Sequence, residues 1–359
     1  MKKIREKRKK EIRSLIISLK LFFVFLCILL MSGCIRSCMN DNEHIQFYKP
    51  CIYIMNADGS DLKILIKDKW VYNIQFIPNT TKILYTWNSY LYIINYNNNE
   101  INIINDTLQV GSTRVSANGE KILFYRGNNG YGDLYICNID GTNVQQLTNS
   151  PQTIENYQSF SYDAEKIVYV AKTEDKTKNY TICTLNINKN EVDTLITSVN
   201  CMLTHPIFSP DGEKIYYIHE YNTYYHFSRL YGINKDGTNI QEFDDDYVSW
   251  NSPLYITTNG DKILYKSDSL HIVNSDHTGN LALVKCNGYS LSSDGTEIAY
   301  SKYSISYSSI YKINSDGSEN KLLFFNLAHS YPVFSPSEDK IVFTGYYQIN
   351  ETKINYLTN

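Results

Sequence analysis

The chain has 359 residues, with 34 Lys and Arg against 37 Asp and Glu and a net charge of -3. That balance excludes a general nucleic-acid binder, which needs a concentrated basic face. Thirty-two tyrosines, many Ile, Asn, Ser and Thr, and no long Ala/Leu/Glu-rich stretch exclude a helical protein and fit β-strands joined by polar turns.

The amino terminus is the first element. Lys2, Lys3, Arg5, Lys7, Arg8, Lys9, Lys10 and Arg13 precede the apolar run Leu21 to Met31, the order of a secretory signal. The run ends in Met31-Ser32-Gly33-Cys34, which resembles the lipobox of bacterial lipoproteins, with Met31 where Leu is usual. The resemblance implies removal of residues 1–33 and lipidation of Cys34. Leu15 to Gly33 is also about long enough to span a bilayer uncleaved, although Lys20 interrupts it. Both readings place the remainder outside the cytoplasmic membrane and anchored to it, with residues 34–50 as lipidated Cys and tether and 51–359 as the folded part.

Eight cysteines include Cys27 in the signal and Cys34 at the lipid site, leaving Cys38, Cys51, Cys137, Cys183, Cys201 and Cys286. An even number permits disulfides in an exported protein without establishing any. No C-x-x-C metal spacing occurs. Cys137 and Cys183 lie inside strand-like runs, which reads as buried thiols acting as small hydrophobes.

From residue 51 onward two signatures alternate. The first is a strand, a tight turn and a second strand, clearest at Pro206-Ile-Phe-Ser-Pro-Asp211-Gly-Glu-Lys-Ile-Tyr-Tyr and repeated from Ile74, Arg114, Ser159, Tyr255, Leu291 and Pro332. The second is a hairpin around Asn-x-Asp-Gly, as in Leu134-Tyr-Ile-Cys-Asn-Ile-Asp140-Gly, with copies from Ile52, Leu230 and Ile310 and weaker ones near Leu91, Thr181 and Leu270. Gly supplies the positive φ that tight hairpins require, so Asp-Gly reads as turn chemistry. A calcium loop of the EF-hand kind needs about twelve residues closed by a Glu between helices, which these turns lack.

Seven copies of each signature, spaced by about 35 to 48 residues, mark an array of four-stranded units. The pattern is similar to that of TolB-like propeller repeats, a WD-repeat-like array running Pro-x-Phe-Ser-Pro-Asp-Gly-x-x-Ile then Asp-Ile-Tyr-x-x-Asn-x-Asp-Gly-Ser, and the similarity covers about 51–346. It implies an all-β chain forming a single β-propeller, with seven four-stranded blades expected and six or eight as alternatives. TolB itself carries a separate amino-terminal α/β domain, for which the 16-residue tether leaves no room, so TolB itself is not expected. The chain opens on a second-signature hairpin (52–66) and closes on a first-signature one (331–344), so one blade is expected to draw strands from both chain ends. Thr352 to Leu357 also reads as a strand and competes for that place.

No Gly-x-Ser-x-Gly, P-loop, GxGxxG or His-Glu-x-x-His motif is present, and no cofactor is expected. His205, His219 and His226 fall in one repeat, too few to encircle a metal ion, so no metal site is assigned. Asp244-Asp-Asp246 reads as a solvated loop.

Aligning the turns puts Asn73, Ser112, Tyr157, His205, Ser252, Gly288 and Tyr331 near one mouth of the channel, and Asn73, Tyr157, His205, Ser252 and Tyr331 are the expected ligand-binding positions. The same face receives insertions at 125–133, 172–180, 219–228 and 302–309. Tyr221, Tyr224, Tyr225, His226 and Phe227 make the third an aromatic loop suited to a partner. The expected function is a non-enzymatic envelope lipoprotein that binds or scaffolds a protein or glycan. The alternative is a metal-assisted carbohydrate-active propeller, similar to oligogalacturonate lyase and centred on His205.

Overall fold

The computed structural model describes residues 47–105, 110–128, 131–150, 153–173, 179–222, 227–243, 248–249, 252–303, 308–326, 331–337 and 339–349. Every regular element among them is a β-strand. β1 (Phe47–Asn56) and β2 (Lys63–Lys67) come first. Six groups of four follow: β3 (Tyr72–Phe76), β4 (Lys82–Trp87), β5 (Tyr90–Asn95) and β6 (Ile101–Asn105); β7 (Thr113–Val115), β8 (Lys121–Asn128), β9 (Tyr131–Asn138) and β10 (Gln145–Gln146); β11 (Thr153–Phe160), β12 (Lys166–Thr173), β13 (Asn179–Asn186) and β14 (Glu191–Val199). The next three are β15 (Met202–Phe208), β16 (Lys214–Asn222), β17 (Phe227–Asn234) and β18 (Gln241–Glu242); β19 (Tyr255–Ile256), β20 (Lys262–Lys266), β21 (Leu270–Asn274) and β22 (Leu281–Ala282); β23 (Tyr289–Leu291), β24 (Glu297–Tyr303), β25 (Ser308–Asn314) and β26 (Lys321–Asn326). β27 (Val333–Phe334) and β28 (Lys340–Ile349) complete the series.

Within each group, sequential strands pair antiparallel. The last group has the order β2-β1-β28-β27, so strands from both ends of the chain share one sheet. Tyr53 Oη donates to the Tyr346 carbonyl at 2.9 Å across that join, and Ala57 N donates to the Asp339 carbonyl at 2.9 Å. The strand ladders of the second and third groups touch through a one-residue parallel bridge between Ile154 and Gly132. The run Thr352 to Leu357, the expected competitor for the closing place, lies outside the described residues.

The middle strands are apolar on both faces: β4 is Lys-Ile-Leu-Tyr-Thr-Trp, with residues 83–86 all buried. The cause is stacking. Seven apolar clusters lie at the seams between neighbouring groups, one pairing Ile83 and Tyr85 with Ile52 and Val342, another pairing Leu84 and Leu91 with Ile122 and Phe124. The series runs through Leu123 with Ile167, Val168 with Tyr217, Tyr216 with Tyr265, and Leu264 with Ile298, and ends where Ala299 meets Phe343. A seam at each junction closes the ring, and among the described residues each group packs an apolar cluster on both of its faces. Each buried Ile or Leu contributes about 1.5–3 kcal/mol, so the seams dominate stability.

The two signatures become turns on one face. In the first, Ser209 Oγ donates to Asp211 Oδ1 at 2.5 Å, Lys214 N donates back to Ser209 Oγ at 2.9 Å, and Gly212 has φ +71°. In the second, Thr238 N and Oγ1 donate to Asp236 Oδ1 at 3.0 and 2.6 Å beside Gly237 at φ +82°. These bonds hold the Asp236 carboxyl below its ordinary range, and the carboxylate is spent on its own turn.

The described cysteines are all thiols, with Cys51, Cys137, Cys183 and Cys286 buried. Burial pushes Cys137 up to about 12, as expected of a thiol acting as a small hydrophobe.

Candidate functional site

The first strands β19, β23, β27, β3, β7, β11 and β15 lie side by side in that order and line the channel. Each starts at the face opposite the signature turns, so the connectors before these strands and the hairpins between the second and third strands share the other face, the mouth face.

Register on the first strands is fixed by one recurring bond, in which the residue closing the strand donates from N to a carbonyl across the turn, as from Ser209 to Lys214 at 2.8 Å. Counting four residues back gives Asn73, Ser112, Tyr157, His205, Gly288 and Tyr331 in six groups. In the group of β19 the same count falls on Pro253, so Ser252 stands one place upstream of the expected position. It is 7 % exposed, too enclosed to serve as a mouth group, and it hydrogen-bonds the Tyr289 side chain.

Asn73, Tyr157 and His205 share a feature that spacing does not reveal. All three have positive φ, +53°, +53° and +51°, at register shifts between Tyr72 and Gln75, between Asn156 and Ser159, and between Thr204 and Ile207. They are bulge residues in the left-handed region, uncommon for large side chains. The Tyr157 and His205 rings meet with centroids 4.6 Å apart. Asn73 spends both amide hydrogens, on Gly111 O at 2.9 Å and Thr86 Oγ1 at 3.2 Å.

Two places further along the first strands, Arg114 on β7 and Tyr255 on β19 occupy the same level three groups apart. They lie within electrostatic reach of each other, and burial pulls the guanidinium down from its usual range and pushes the phenol up. Arg114 Nη1 donates to Thr113 O at 3.0 Å. Tyr289 packs edge-on against Tyr255 at 5.7 Å and donates to Pro253 O at 2.6 Å. Tyr331, 66 % exposed, adds its field to both phenols. Sequence reasoning missed Arg114, Tyr255 and Tyr289. The available signal was a cationic and an aromatic residue at one repeat position that elsewhere holds Gln75, Ser159, Ile207, Ser290 and Val333.

Of the expected aromatic loop, Tyr221 is exposed, its ring 4.3 Å from His219 and its hydroxyl bonded to Tyr231, which donates to Glu242. Tyr224, Tyr225 and His226 lie outside the described residues, as do Cys34 and 244–246. Phe227 begins β17, and its side chain is not described. His219 shares a hydrogen bond with Ser198 Oγ at 3.0 Å, and burial lowers its pKa. Among the described residues no three His, Cys, Asp or Glu side chains converge as a metal site requires.

A groove of about 590 Å³ opens on the mouth face beside Asn73, lined by Trp70, Tyr72, Thr86, Asn88, Ser89, Val110 and Gly111.

No family model matches the chain, and no curated protein matches it. Solved structures do. A TolB from Agrobacterium tumefaciens is 14% identical, with a TM-score of 0.53 over 84% of this chain and 100% of its own. An oligogalacturonate lyase in complex with manganese is 12% identical, with a TM-score of 0.65 over 86% of this chain and 98% of its own. TolB from Acinetobacter baumannii is 12% identical, with a TM-score of 0.52 over 77% of this chain and 64% of its own. At these identities the likeness concerns fold alone, and the fold of this chain is that of the TolB-like β-propellers.

Proposed function

We propose that the chain is a non-enzymatic lipoprotein of the bacterial envelope, exported by residues 1–33, held by lipid on Cys34, and binding a protein or glycan partner on its mouth face. One observation carries the reading. Eight aromatic side chains are more than a third exposed among the described residues, and strand direction puts Tyr48, Trp70, Tyr72, Tyr131, Tyr221, Phe325 and Tyr331 on the mouth side and only Tyr162 in a turn of the opposite face. Exposed aromatic rings concentrated on one face favour a binding surface, because each brings large contact area at low entropy cost.

The test is capture from envelope extracts. The intact chain retains a partner, truncation of 219–228 or Tyr331→Ala reduces capture, and Tyr162→Ala does not; equal capture by all four sinks the reading. Cys34→Ser separates the anchor, since it releases the chain from membranes if lipid holds it. The second reading, a metal-assisted carbohydrate-active propeller, draws on the place of His205 at the mouth, and a stoichiometric transition metal in the purified protein would favour it.

A further inference from the structure

The groove beside Asn73 exists because of local chain geometry. Its wall is the β4–β5 hairpin, a two-residue turn in which Asn88 and Ser89 both have positive φ, +49° and +65°, the geometry that matches strand twist. In the second, third, fourth and sixth groups the corresponding sequence segments are longer, at 125–133, 172–180, 219–228 and 302–309. The short turn leaves a notch. Its floor is Val110 and Gly111, where a Cβ on residue 111 would meet Tyr125 at 2.8 Å.

The lining chemistry is specific. Trp70 and Tyr72 are 53 % and 64 % exposed, and the Trp70 and Tyr346 rings meet near-perpendicular with centroids 5.4 Å apart, which holds the indole in place. Asn73 has both amide hydrogens committed, so it offers an acceptor only, and Thr86 donates to Tyr72 O at 3.1 Å. Among the described residues the Tyr72 hydroxyl, the Trp70 ring nitrogen and the Asn88 and Ser89 side chains have no hydrogen-bond partner. Among the described residues no charged side chain lines the groove, and the nearby Lys69 ammonium sits 4.1 Å above the Trp87 ring instead.

We propose that this groove binds a neutral oligosaccharide, with pyranose faces laid on Trp70 and Tyr72 and hydroxyls met by Asn73 Oδ1, Asn88 and Ser89. The proposal rests on the mouth-face reading and deepens it. Sugar rings pair an apolar face of C–H groups with an equatorial rim of hydroxyls. The groove pairs exposed rings with uncommitted donors and acceptors in the same way. Its volume falls in the range of about 300–1,000 Å³ usual for small-ligand clefts. The described lining offers no cation, which disfavours acidic sugars, whose carboxylates would lose water without gaining a partner charge.

The test is calorimetric titration of the full-length chain in detergent with cellohexaose, chitohexaose, maltohexaose and hexagalacturonate. At least one neutral hexasaccharide binds, Trp70→Ala and Tyr72→Ala each weaken it by about tenfold, and Tyr162→Ala leaves it unchanged. Both lining residues are exposed, so these variants fold. Binding that neither substitution weakens, tightest binding of hexagalacturonate, or no binding of any neutral sugar overturns the proposal. If sugars fail while Tyr331→Ala still reduces capture of an envelope partner, the groove assignment falls and the mouth-face reading survives. Loss of both results overturns both.

Discussion

Tyr157 and His205 occupy the same bulge position on adjacent first strands, both in the left-handed region, with rings 4.6 Å apart. Neither conformation is favourable alone, at a cost of order 1–3 kcal/mol each. The neighbouring strands hold them, and the bulge turns both rings toward each other at the mouth.

The backbone makes this testable. His205→Asn keeps a residue that tolerates positive φ, whereas His205→Val places a branched Cβ there, and both lose the ring contact. His205→Val is expected to cost about 1–2 kcal/mol more than His205→Asn in urea unfolding. Equal costs would contradict a left-handed bulge.

Turn glycines differ in the same physical terms. A Cβ at Gly141, φ +83°, would meet the Ile104 carbonyl oxygen at 2.5 Å, whereas at Gly212, φ +71°, nothing lies within 4 Å. Gly212→Ala therefore pays only for its φ, about 1 kcal/mol. Gly141→Ala also forces the turn off the neighbouring group, and its melting temperature falls further. Identical melting shifts would contradict this packing of turn against strand.

Stability depends on pH through Glu155. This side chain is 1 % exposed, accepts a hydrogen bond from Thr148, and is pushed by burial from an ordinary 4.5 to about 7. A raised carboxyl pKa means that the fold binds the proton more tightly than the unfolded chain does. The contribution is therefore complete below about pH 4.5 and lost as pH rises through 7, of order 3 kcal/mol in all. Urea unfolding at pH 5 and pH 8 reads it. Glu155→Gln narrows the difference between the two pH values, and an unaltered difference excludes Glu155 as its source.

Thiol reactivity follows burial. Cys51 and Cys286 are pushed up to about 11 and Cys137 to about 12, so few thiolates form at neutral pH, while Cys201 is partly exposed. Brief alkylation of the native chain, followed by peptide mapping, is expected to label Cys201 and spare Cys51, Cys137, Cys183 and Cys286 until urea is added. Equal labelling of all five would contradict the packed seams.

Much of the fold was legible because its determinants are local. Ser209, Asp211 and Gly212 form their turn within four residues, and that chemistry recurs at Ser161 and Asp163 and at Ser292 and Asp294. The β1–β28 join was legible from the order of signatures at the two ends. What escaped depends on contacts between distant residues or on backbone states. Arg114 and Tyr255 come within electrostatic reach only because the fold brings the second and fifth groups together, and Ser252 was misplaced by one residue for want of the Thr257 to Lys262 bond that sets register at 3.1 Å. Trp70 lies in a connector that no repeat describes, so its exposure was invisible to periodicity.

The central claim is that partners dock on the mouth face, and site-specific photo-crosslinking in intact cells tests it most directly. A benzophenone amino acid is placed at position 331 on the mouth face or at position 162 among the turns. The account predicts a discrete adduct of the chain from position 331 and none from 162. An adduct from 162 alone, or from neither position, would contradict it.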